Sequence, residues 1–288
     1  HEFAKQQNAT GMVTVNAGTG TPEMAAEWVR WANLTMGYGV KYWEIGNELE
    51  GSWEAGNTRP DGSKMTAKKY AEIYLKFAKA MRAVDPSIKI GGPTNSNDSI
   101  VYVEELLKTA GDEVDFVSFH TYPVDPGKTT EDEIFEVSSR LSGPVAKIRS
   151  WIERYQPQRK DQIEIGITEW HLQVSEDSRT TDLVSGLWSL RFIGEMMKAN
   201  IDFANQWDMF STTKHGGGHG LFQIENDKLI PRAAYHAQLI WSQYLGDTLV
   251  ASKSSDPQLI SYATLREGKP AILLVNQSNH DTKFADLS

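Results

Sequence analysis

The sequence contains no cysteine, and its charge is unbalanced towards acid. Without cysteine there are no disulfides and no thiol-based redox chemistry. The cellular compartment stays open, because such chains occur inside and outside the cell; a secreted or periplasmic location is slightly preferred. Lys and Arg number 29 against 38 Asp and Glu, which gives a formal net charge of −9. This argues against a nucleic-acid partner, because a phosphate-binding face needs a surplus of basic side chains.

Long apolar runs and phosphate-binding motifs are also missing. No apolar run reaches the ~18 residues of a membrane-spanning helix, so no membrane partner is expected. Gly91-Gly92-Pro93 lacks the Lys and Ser/Thr that follow in a phosphate loop, which speaks against a nucleotide-binding α/β protein. The chain begins at His1 without Met or a signal peptide, so we expect its natural start to lie further upstream.

A metal site is not expected either. His215 and His219 are separated by three glycines, which do not form the helix that aligns paired histidine ligands in one common type of zinc site. We therefore expect no metal and no cofactor, and we interpret this glycine-rich segment as a mobile loop over a site.

Aromatic residues are abundant, with nine Trp and ten Tyr. Some of them must fill the core, and the excess suits a protein that stacks its rings on sugar faces.

Short apolar strands alternate with amphipathic helices six times along the chain. The predicted strands cover 11–17, 40–45, 88–90, 114–119, 163–167 and 201–207. Thr21 and Thr66 stand where helix N-caps are expected, and Asp98 and Pro231 are further predicted helix starts. Such alternation is typical of a parallel sheet with helices packed outside it. A doubly wound open sheet and a (β/α)8 barrel both fit this pattern.

The polar residues at the strand ends favour the barrel. All six predicted strands end in such residues: Asn16; Asn47 and Glu48; Thr94 and Asn95; His120 and Tyr122; Glu169 and His171; Gln206 and Trp207. A doubly wound sheet concentrates function at one crevice, whereas in a barrel every strand end converges on the axis. We therefore predict an α/β fold, a (β/α)8 TIM barrel with strands 3–8 in this chain and the first two missing.

The predicted domains follow from this assignment. Residues 1–246 form an N-terminally incomplete catalytic barrel, and 247–288 begin a small β-sandwich, because strands there follow one another without helices. The missing barrel strands are expected to come from an upstream segment or from another chain, because six strands cannot close a barrel that needs eight.

Two glutamates carry the expected chemistry. Glu48 and Glu169 each close a strongly apolar strand, and a carboxylic acid facing a carboxylate nucleophile is the equipment of glycoside hydrolysis. Asn47 can bond a sugar hydroxyl, Tyr122 can donate to Glu169, and His120 can hold a hydroxyl or tune a carboxyl group. An acid catalyst must hold its proton, so we expect a raised pKa for Glu48, an ionised Glu169 and a bell-shaped pH profile.

The motifs around both glutamates resemble a known group of enzymes. Tyr42–Glu48 (YWEIGNE) and Ile167–Trp170 (ITEW) look like the acid/base and nucleophile strands of clan A glycoside hydrolases. The segment from Val13 to Val29 is most similar to family 51, which holds α-L-arabinofuranosidases and some endoglucanases. The resemblance implies that Glu48 is the acid/base and Glu169 the nucleophile. It also places Asn47, His120 and Tyr122 in the sugar site.

One position departs from the family 51 pattern. That family has an Asn close after the Trp that follows the nucleophile, where this chain has His171. Trp207 is interpreted as a floor for the sugar, with a barrel plug as the alternative. The candidate substrate-binding residues are Asn16, Asn47, His120, Tyr122, His171 and Trp207.

Three functions remain open. The leading prediction is a retaining, α-L-arabinofuranosidase-like glycosidase that cleaves plant cell-wall oligo- or polysaccharide. An endo-β-1,4-glucanase or xylanase of the same clan is the first alternative, because loop shape rather than motif decides between a pocket and an open groove. The second alternative is an inactive carbohydrate-binding fragment, which has no need of two facing carboxylates.

Overall fold

The computed structural model describes residues 1–175, 178–211, 218–278 and 280–286. Residues 212–217, which include His215 and most of the predicted glycine-rich loop, lie outside these residues. The chain divides into two compact units. The first comprises 1–121, 143–168 and 202–204, and the second comprises 122–142, 169–201 and 205–288. Among the described residues, no helix has both the length and the apolar character needed to cross a membrane.

The secondary structure alternates as predicted up to residue 206. The strands are β1 (Met12–Val15), β2 (Tyr42–Ile45), β3 (Lys89–Asn95), β4 (Phe116–Thr121), β5 (Glu164–Trp170), β6 (Phe203–Gln206), β7 (Phe210–Ser211), β8 (Phe222–Glu225), β9 (Lys228–Pro231), β10 (Thr248–Val250), β11 (Leu259–Arg266) and β12 (Lys269–Asn276). The α-helices are α1 (Glu2–Gln6), α2 (Pro22–Val29), α3 (Ala67–Val84), α4 (Val103–Ala110), α5 (Glu131–Ile134), α6 (Ser142–Tyr155), α7 (Leu183–Lys198) and α8 (Ala233–Tyr244). A π-helix, Arg30–Thr35, extends α2, and 3₁₀ turns cover Gly111–Glu113, Glu136–Leu141 and Ser178–Thr180.

The main sheet has six strands in the order β1-β2-β3-β4-β5-β6. The pairs β1–β2, β2–β3 and β3–β4 are parallel. Strand order that simply follows chain order excludes a doubly wound sheet, whose order reverses at a switch point. It is the order of a partial TIM barrel. Strands β1 and β6 stand at the two ends of this order.

Two threonines begin the helices that pack beside β1 and β2, as the sequence predicts. The Thr21 hydroxyl accepts from the Met24 N–H at 3.2 Å, and the Thr66 hydroxyl accepts from the Lys69 N–H at 3.3 Å. Helix α3 then buries one face. Its Tyr70 hydroxyl donates to the Ile45 carbonyl at 2.7 Å, at the end of β2. This bond fixes the strand end from which the first candidate residues project.

Two expectations around β3 are wrong. The strand does not end at Gly91-Gly92-Pro93 but runs through it to Asn95. Gly91 is there for close packing rather than for a turn, because a Cβ at this position would lie 2.2 Å from the Phe116 ring. Asp98 does not cap α4, which begins at Val103. The Asp98 backbone has φ +60° and its N–H donates to the His120 carbonyl at 2.7 Å, which ties it to the end of β4.

The helix start predicted at Pro231 is also wrong. Pro231 ends β9, which pairs antiparallel with β8, and α8 begins at Ala233. Asn226 and Asp227 join the two strands at φ +49° and +59°, the left-handed pair of a tight hairpin turn. The segment 266–270 (REGKP) predicts a hairpin turn, and β11 and β12 do form an antiparallel hairpin with Glu267 and Gly268 in its turn.

Candidate active site

Glu48 lies just past the end of β2 in a strained backbone conformation. Its φ is +44°, a left-handed value that typically costs about 1–3 kcal/mol for a residue other than glycine. The Glu48 N–H donates to the Thr94 carbonyl at 3.0 Å, which holds this turn against β3. Strain of this kind persists only where the surroundings impose it, and it is concentrated at functional positions.

Each carboxylate oxygen of Glu48 has its own donor. The His120 Nδ1–H donates to Oε1 at 2.7 Å, and the Trp53 Nε1–H donates to Oε2 at 2.7 Å. The two donors differ in exposure, because His120 is 1% exposed within β4 whereas Trp53 is 66% exposed in the loop after β2. His120 therefore tunes a carboxyl group, which is one of the two roles expected for it.

The expected raised pKa of Glu48 is wrong for this structure. Burial acts to raise it, but the hydrogen bond and the charge of His120, followed by the Trp53 hydrogen bond, outweigh burial and place the pKa below its ordinary value of 4.5. Both donors favour the ionised form because they bond to a carboxylate more strongly than to a carboxylic acid. The Glu48 carboxyl group is therefore ionised at neutral pH in this structure.

Glu169 lies within the last residues of β5 and has the expected tyrosine partner. The Tyr122 hydroxyl donates to Glu169 Oε2 at 2.9 Å. The end of β5 is fixed on both sides, because the Trp207 N–H donates to the Trp170 carbonyl at 3.0 Å and the Val124 N–H donates to the Leu172 carbonyl at 3.0 Å. The second unit thus holds a carboxylate with an oriented donor.

His171 is placed differently from a typical ligand-binding side chain. It is 1% exposed, and its ring packs edge-on against His219 with centroids 4.9 Å apart. Neither ring nitrogen has a hydrogen-bond partner among the described residues. Burial, followed by the positive charges of His219 and Arg232, lowers the pKa of His171 to about 3. This histidine is neutral and closed off from solvent, whereas Trp207 is 45% exposed.

The two candidate asparagines of the first unit are both engaged. The Asn16 carbonyl oxygen accepts from the N–H groups of Gly18 and Thr19 at 3.0 and 2.9 Å, so its amide shapes its own loop. The Asn47 amide donates to Glu54 Oε1 at 3.2 Å. Both asparagines line a cavity of about 220 Å³ together with Glu54.

Sequence reasoning missed Glu44. It lies in the middle of β2, 3% exposed, with the Thr14 hydroxyl donating to Oε2 at 3.1 Å. Its Oε1 has no geometric hydrogen-bond partner among the described residues. Burial raises its pKa, although Ser118, His120 and other polar neighbours act to lower it. An acid flanked by Trp43 and Ile45 in a strand is the signal that could have revealed a buried carboxyl group.

The fold is that of a partial TIM barrel, and the comparisons with known proteins give both the class, the clan A glycoside hydrolases, and the family. The profile of Glycosyl hydrolases family 39 matches residues 38–282, and the chain belongs to that family. It is 27% identical over 201 residues to an exo-α-(1→6)-L-arabinofuranosidase of Bifidobacterium longum, covering 60% of this chain and 37% of that protein. It is 23% identical over 234 residues to a β-xylosidase of Caldicellulosiruptor saccharolyticus, covering 77% and 46%.

Two solved structures of arabinofuranosidases are similar to this chain in fold. An α-L-arabinofuranosidase from Thermotoga maritima in complex with arabinose matches with a TM-score of 0.77 and 25% identity, over 96% of this chain and 62% of that one. A family 51 α-L-arabinofuranosidase from Thermotoga petrophila matches in fold with a TM-score of 0.72 and 24% identity, over 96% and 58%. The expected resemblance to family 51 within clan A is confirmed. The chain spans less than two thirds of the length of each of these relatives, from 37% to 62%.

Proposed function

We propose that the protein is a retaining glycosidase of the α-L-arabinofuranosidase type, with Glu48 as acid/base and Glu169 as nucleophile. The observation that carries this proposal is the pair of glutamates at the ends of β2 and β5, two strands of one sheet, each with its own oriented donor. The ends of parallel barrel strands face a common axis, where such side chains act on one substrate.

The proposed reaction has two steps. Glu169 attacks the anomeric carbon while Glu48 gives its proton to the departing glycosidic oxygen, which forms a glycosyl ester on Glu169. Glu48, now ionised, removes a proton from water, and that water attacks the anomeric carbon and releases Glu169. The Tyr122 hydroxyl orients the Glu169 carboxylate for both steps. The product keeps the anomeric configuration of the substrate.

Two sugar specificities have support. Arabinofuranosidases among the relatives, and the arabinose complex of a matching structure, favour an arabinofuranoside. The family 39 match and the β-xylosidase that covers 77% of this chain favour a β-xyloside as the second candidate. The endo-glucanase or xylanase alternative and the inactive carbohydrate-binding fragment remain predictions from the sequence.

An aryl glycoside panel separates these possibilities. Aryl α-L-arabinofuranoside should be hydrolysed faster than aryl β-D-xyloside, and polymeric glucan and xylan should be cut far more slowly. Glu169→Ala should abolish turnover, and azide should restore part of it as a glycosyl azide. The matched control is Glu72→Ala, on the exposed side of α3. Binding of sugars without any turnover would favour the binding fragment and contradict the enzyme.

We also propose that further strands complete the barrel at β1. Strand β1 stands at one end of the strand order of the main sheet. Beside it Trp28 and Trp31 are more than half exposed and line an apolar cavity of about 520 Å³. Apolar surface of this kind beside the end strand of a sheet is typical of a site that further chain segments cover. Two β/α units from an upstream segment or a second chain would cover it.

The C-terminal strands support a similar proposal. Strands β10, β11 and β12 form a three-stranded antiparallel sheet on which Ile272 is 45% exposed. We assign 1–246 to the catalytic barrel and 247–288 to the beginning of a β-sandwich whose second sheet covers this face. Limited proteolysis tests the boundary, with the first cleavage expected near 246 and an intact 1–246 fragment.

A further inference from the structure

The Trp53 indole rests on a glycine beside Glu48. A Cβ built on Gly51 would lie 2.3 Å from both Cε2 and Cζ2 of the Trp53 ring, so the ring occupies the space that any side chain at position 51 would fill. In this position the indole N–H reaches Glu48 Oε2 at 2.7 Å. Although it makes this bond, the side chain is 66% exposed. Trp53 is thus seated on Gly51 but not enclosed.

In this position the Trp53 N–H is bonded to Glu48 Oε2, the oxygen on which an acid catalyst would carry its proton. Glu48 Oε1 accepts from His120, a buried residue of β4 that is held by the sheet. Only Oε2 is left to carry a proton towards a leaving group. The indole N–H opposes protonation there, because it donates to a carboxylate much better than to the hydroxyl of a carboxylic acid.

We propose that Trp53 is a removable donor to Glu48, seated on Gly51 in the free protein and withdrawn when substrate fills the site. The proposal rests on Glu48 acting as the acid/base of the proposed function. Withdrawal frees Oε2 to take up the proton that it later gives to the glycosidic oxygen. Trp53 is a positioning residue in this account, because it acts through Glu48 rather than on the bond that breaks.

Several groups bear on the ionisation of Glu48. Within the first unit His120 is the titratable partner, and it bonds to Oε1 rather than to the oxygen that Trp53 contacts. Glu169 is the other carboxylate of the proposed reaction, and it belongs to the second unit. With Trp53 gone, the lowering influence of its hydrogen bond is lost and burial acts more fully, so the pKa of Glu48 rises.

The test compares two pH profiles of Trp53→Phe. The basic limb of kcat/KM reports the acid in the free enzyme, whereas that of kcat reports it in the complex. Phe keeps the ring and removes the N–H. We expect the kcat/KM limb to move upward by about one pH unit and the kcat limb to stay in place. Trp151→Phe, on α6, should move neither limb.

A second variant disturbs the hydrogen bond between Trp53 and Glu48 without changing the indole itself. Gly51→Ala displaces the ring from its seat and should reproduce the kcat/KM shift. Gly143→Ala is the matched control, because a Cβ there meets nothing within 4 Å. Unchanged limbs in both Trp53→Phe and Gly51→Ala would overturn the proposal, even if KM rose, since Trp53 would then be only a sugar platform. An equal shift of both limbs would overturn it too, because the donor would then remain in the complex.

An NMR experiment follows the hydrogen bond between Trp53 and Glu48 without depending on activity. In protein labelled with ¹⁵N-tryptophan, the Trp53 indole resonance, assigned with Trp53→Phe, should follow the titration of Glu48 and lose that response in Glu48→Gln. An S-linked aryl α-L-arabinofuranoside, which is not hydrolysed, should move the resonance towards that of a free indole. Absent hydrolysis of every substrate would contradict the proposed function alone. An indole resonance that ignores Glu48→Gln would contradict this inference alone.

Discussion

His120 donates from Nδ1 to Glu48 Oε1 at 2.7 Å, and the two residues lie at the ends of β4 and β2. This bond joins a buried imidazole to a partly exposed carboxyl group and lowers the pKa of that group against the opposing effect of burial. The ionisation of Glu48 is therefore set by a neighbour that the sheet holds in place. Its consequences can be measured.

Removing the imidazole should raise the pKa of Glu48. His120→Leu deletes both the donor and the charge, so the basic limb of kcat/KM should move to higher pH. His120→Asn keeps a neutral donor and should give a smaller shift. His236→Asn, on the exposed face of α8, should cause none. A basic limb that stays in place in His120→Leu, with the variant folded by circular dichroism, would contradict the assignment of that limb to Glu48.

Tyr122→Phe removes the donor to Glu169 and nothing else of the ring. A hydrogen bond to a charged group is worth about 1.5–3 kcal/mol, so kcat/KM should fall roughly ten- to a hundredfold. Tyr155→Phe loses a similar bond, to Glu104, far along the chain on α6 and should leave the rate unchanged. Steady-state kinetics on an aryl glycoside decides. Equal rates for Tyr122→Phe and wild type would show that this bond does not serve the reaction.

Glu44 should make stability depend on pH. Its pKa is raised in the folded state above the ordinary 4.5, so the folded protein binds the proton more tightly than the unfolded chain. The contribution is fully present below the unfolded pKa and is lost as pH rises towards the folded pKa. Glu44→Gln has no group that ionises at this position, so the variant does not lose this stability as pH rises. Its melting temperature relative to wild type should therefore increase as pH rises above about 4.5, whereas Glu72→Gln should track wild type. A constant difference between pH 4 and 8 would contradict a raised pKa.

Gly91→Ala should destabilise the fold. The added methyl group would meet the Phe116 ring at 2.2 Å, and overpacking of this kind typically costs about 1–3 kcal/mol. Denaturant unfolding measures the loss, with Gly143→Ala as the control on an open site. If Gly91→Ala were as stable as wild type, β3 and β4 would have to be less tightly packed than described.

The sequence predicts correctly the elements that neighbouring residues determine. It does not predict those that depend on packing against a distant part of the chain. The caps Thr21 and Thr66 precede their helices directly, and the hairpin turn at Gly268 lies between two clear strands. Gly91 looks like a turn residue, and only the ring of Phe116 on the next strand explains it. Pro231 looks like a helix start because its place at the end of a paired strand depends on β8.

The site shows the same division. Position in the chain placed Glu48 and Glu169 at strand ends, and the Tyr122 bond followed from strand spacing. The ionisation of Glu48 did not follow, because it depends on two donors 72 and 5 residues away. Burial of His171 depends on its packing against His219, which the sequence does not reveal.

Trapping the covalent intermediate tests the central claim most directly. An activated 2-deoxy-2-fluoro-α-L-arabinofuranoside slows the second step more than the first, so the glycosyl ester accumulates when Glu169 is the nucleophile. Peptide mass spectrometry should find one fluoroglycosyl group per chain, attached to Glu169, and no label in Glu169→Gln. A label on another residue, or hydrolysis with inversion of configuration and no label at all, would contradict the double-displacement account.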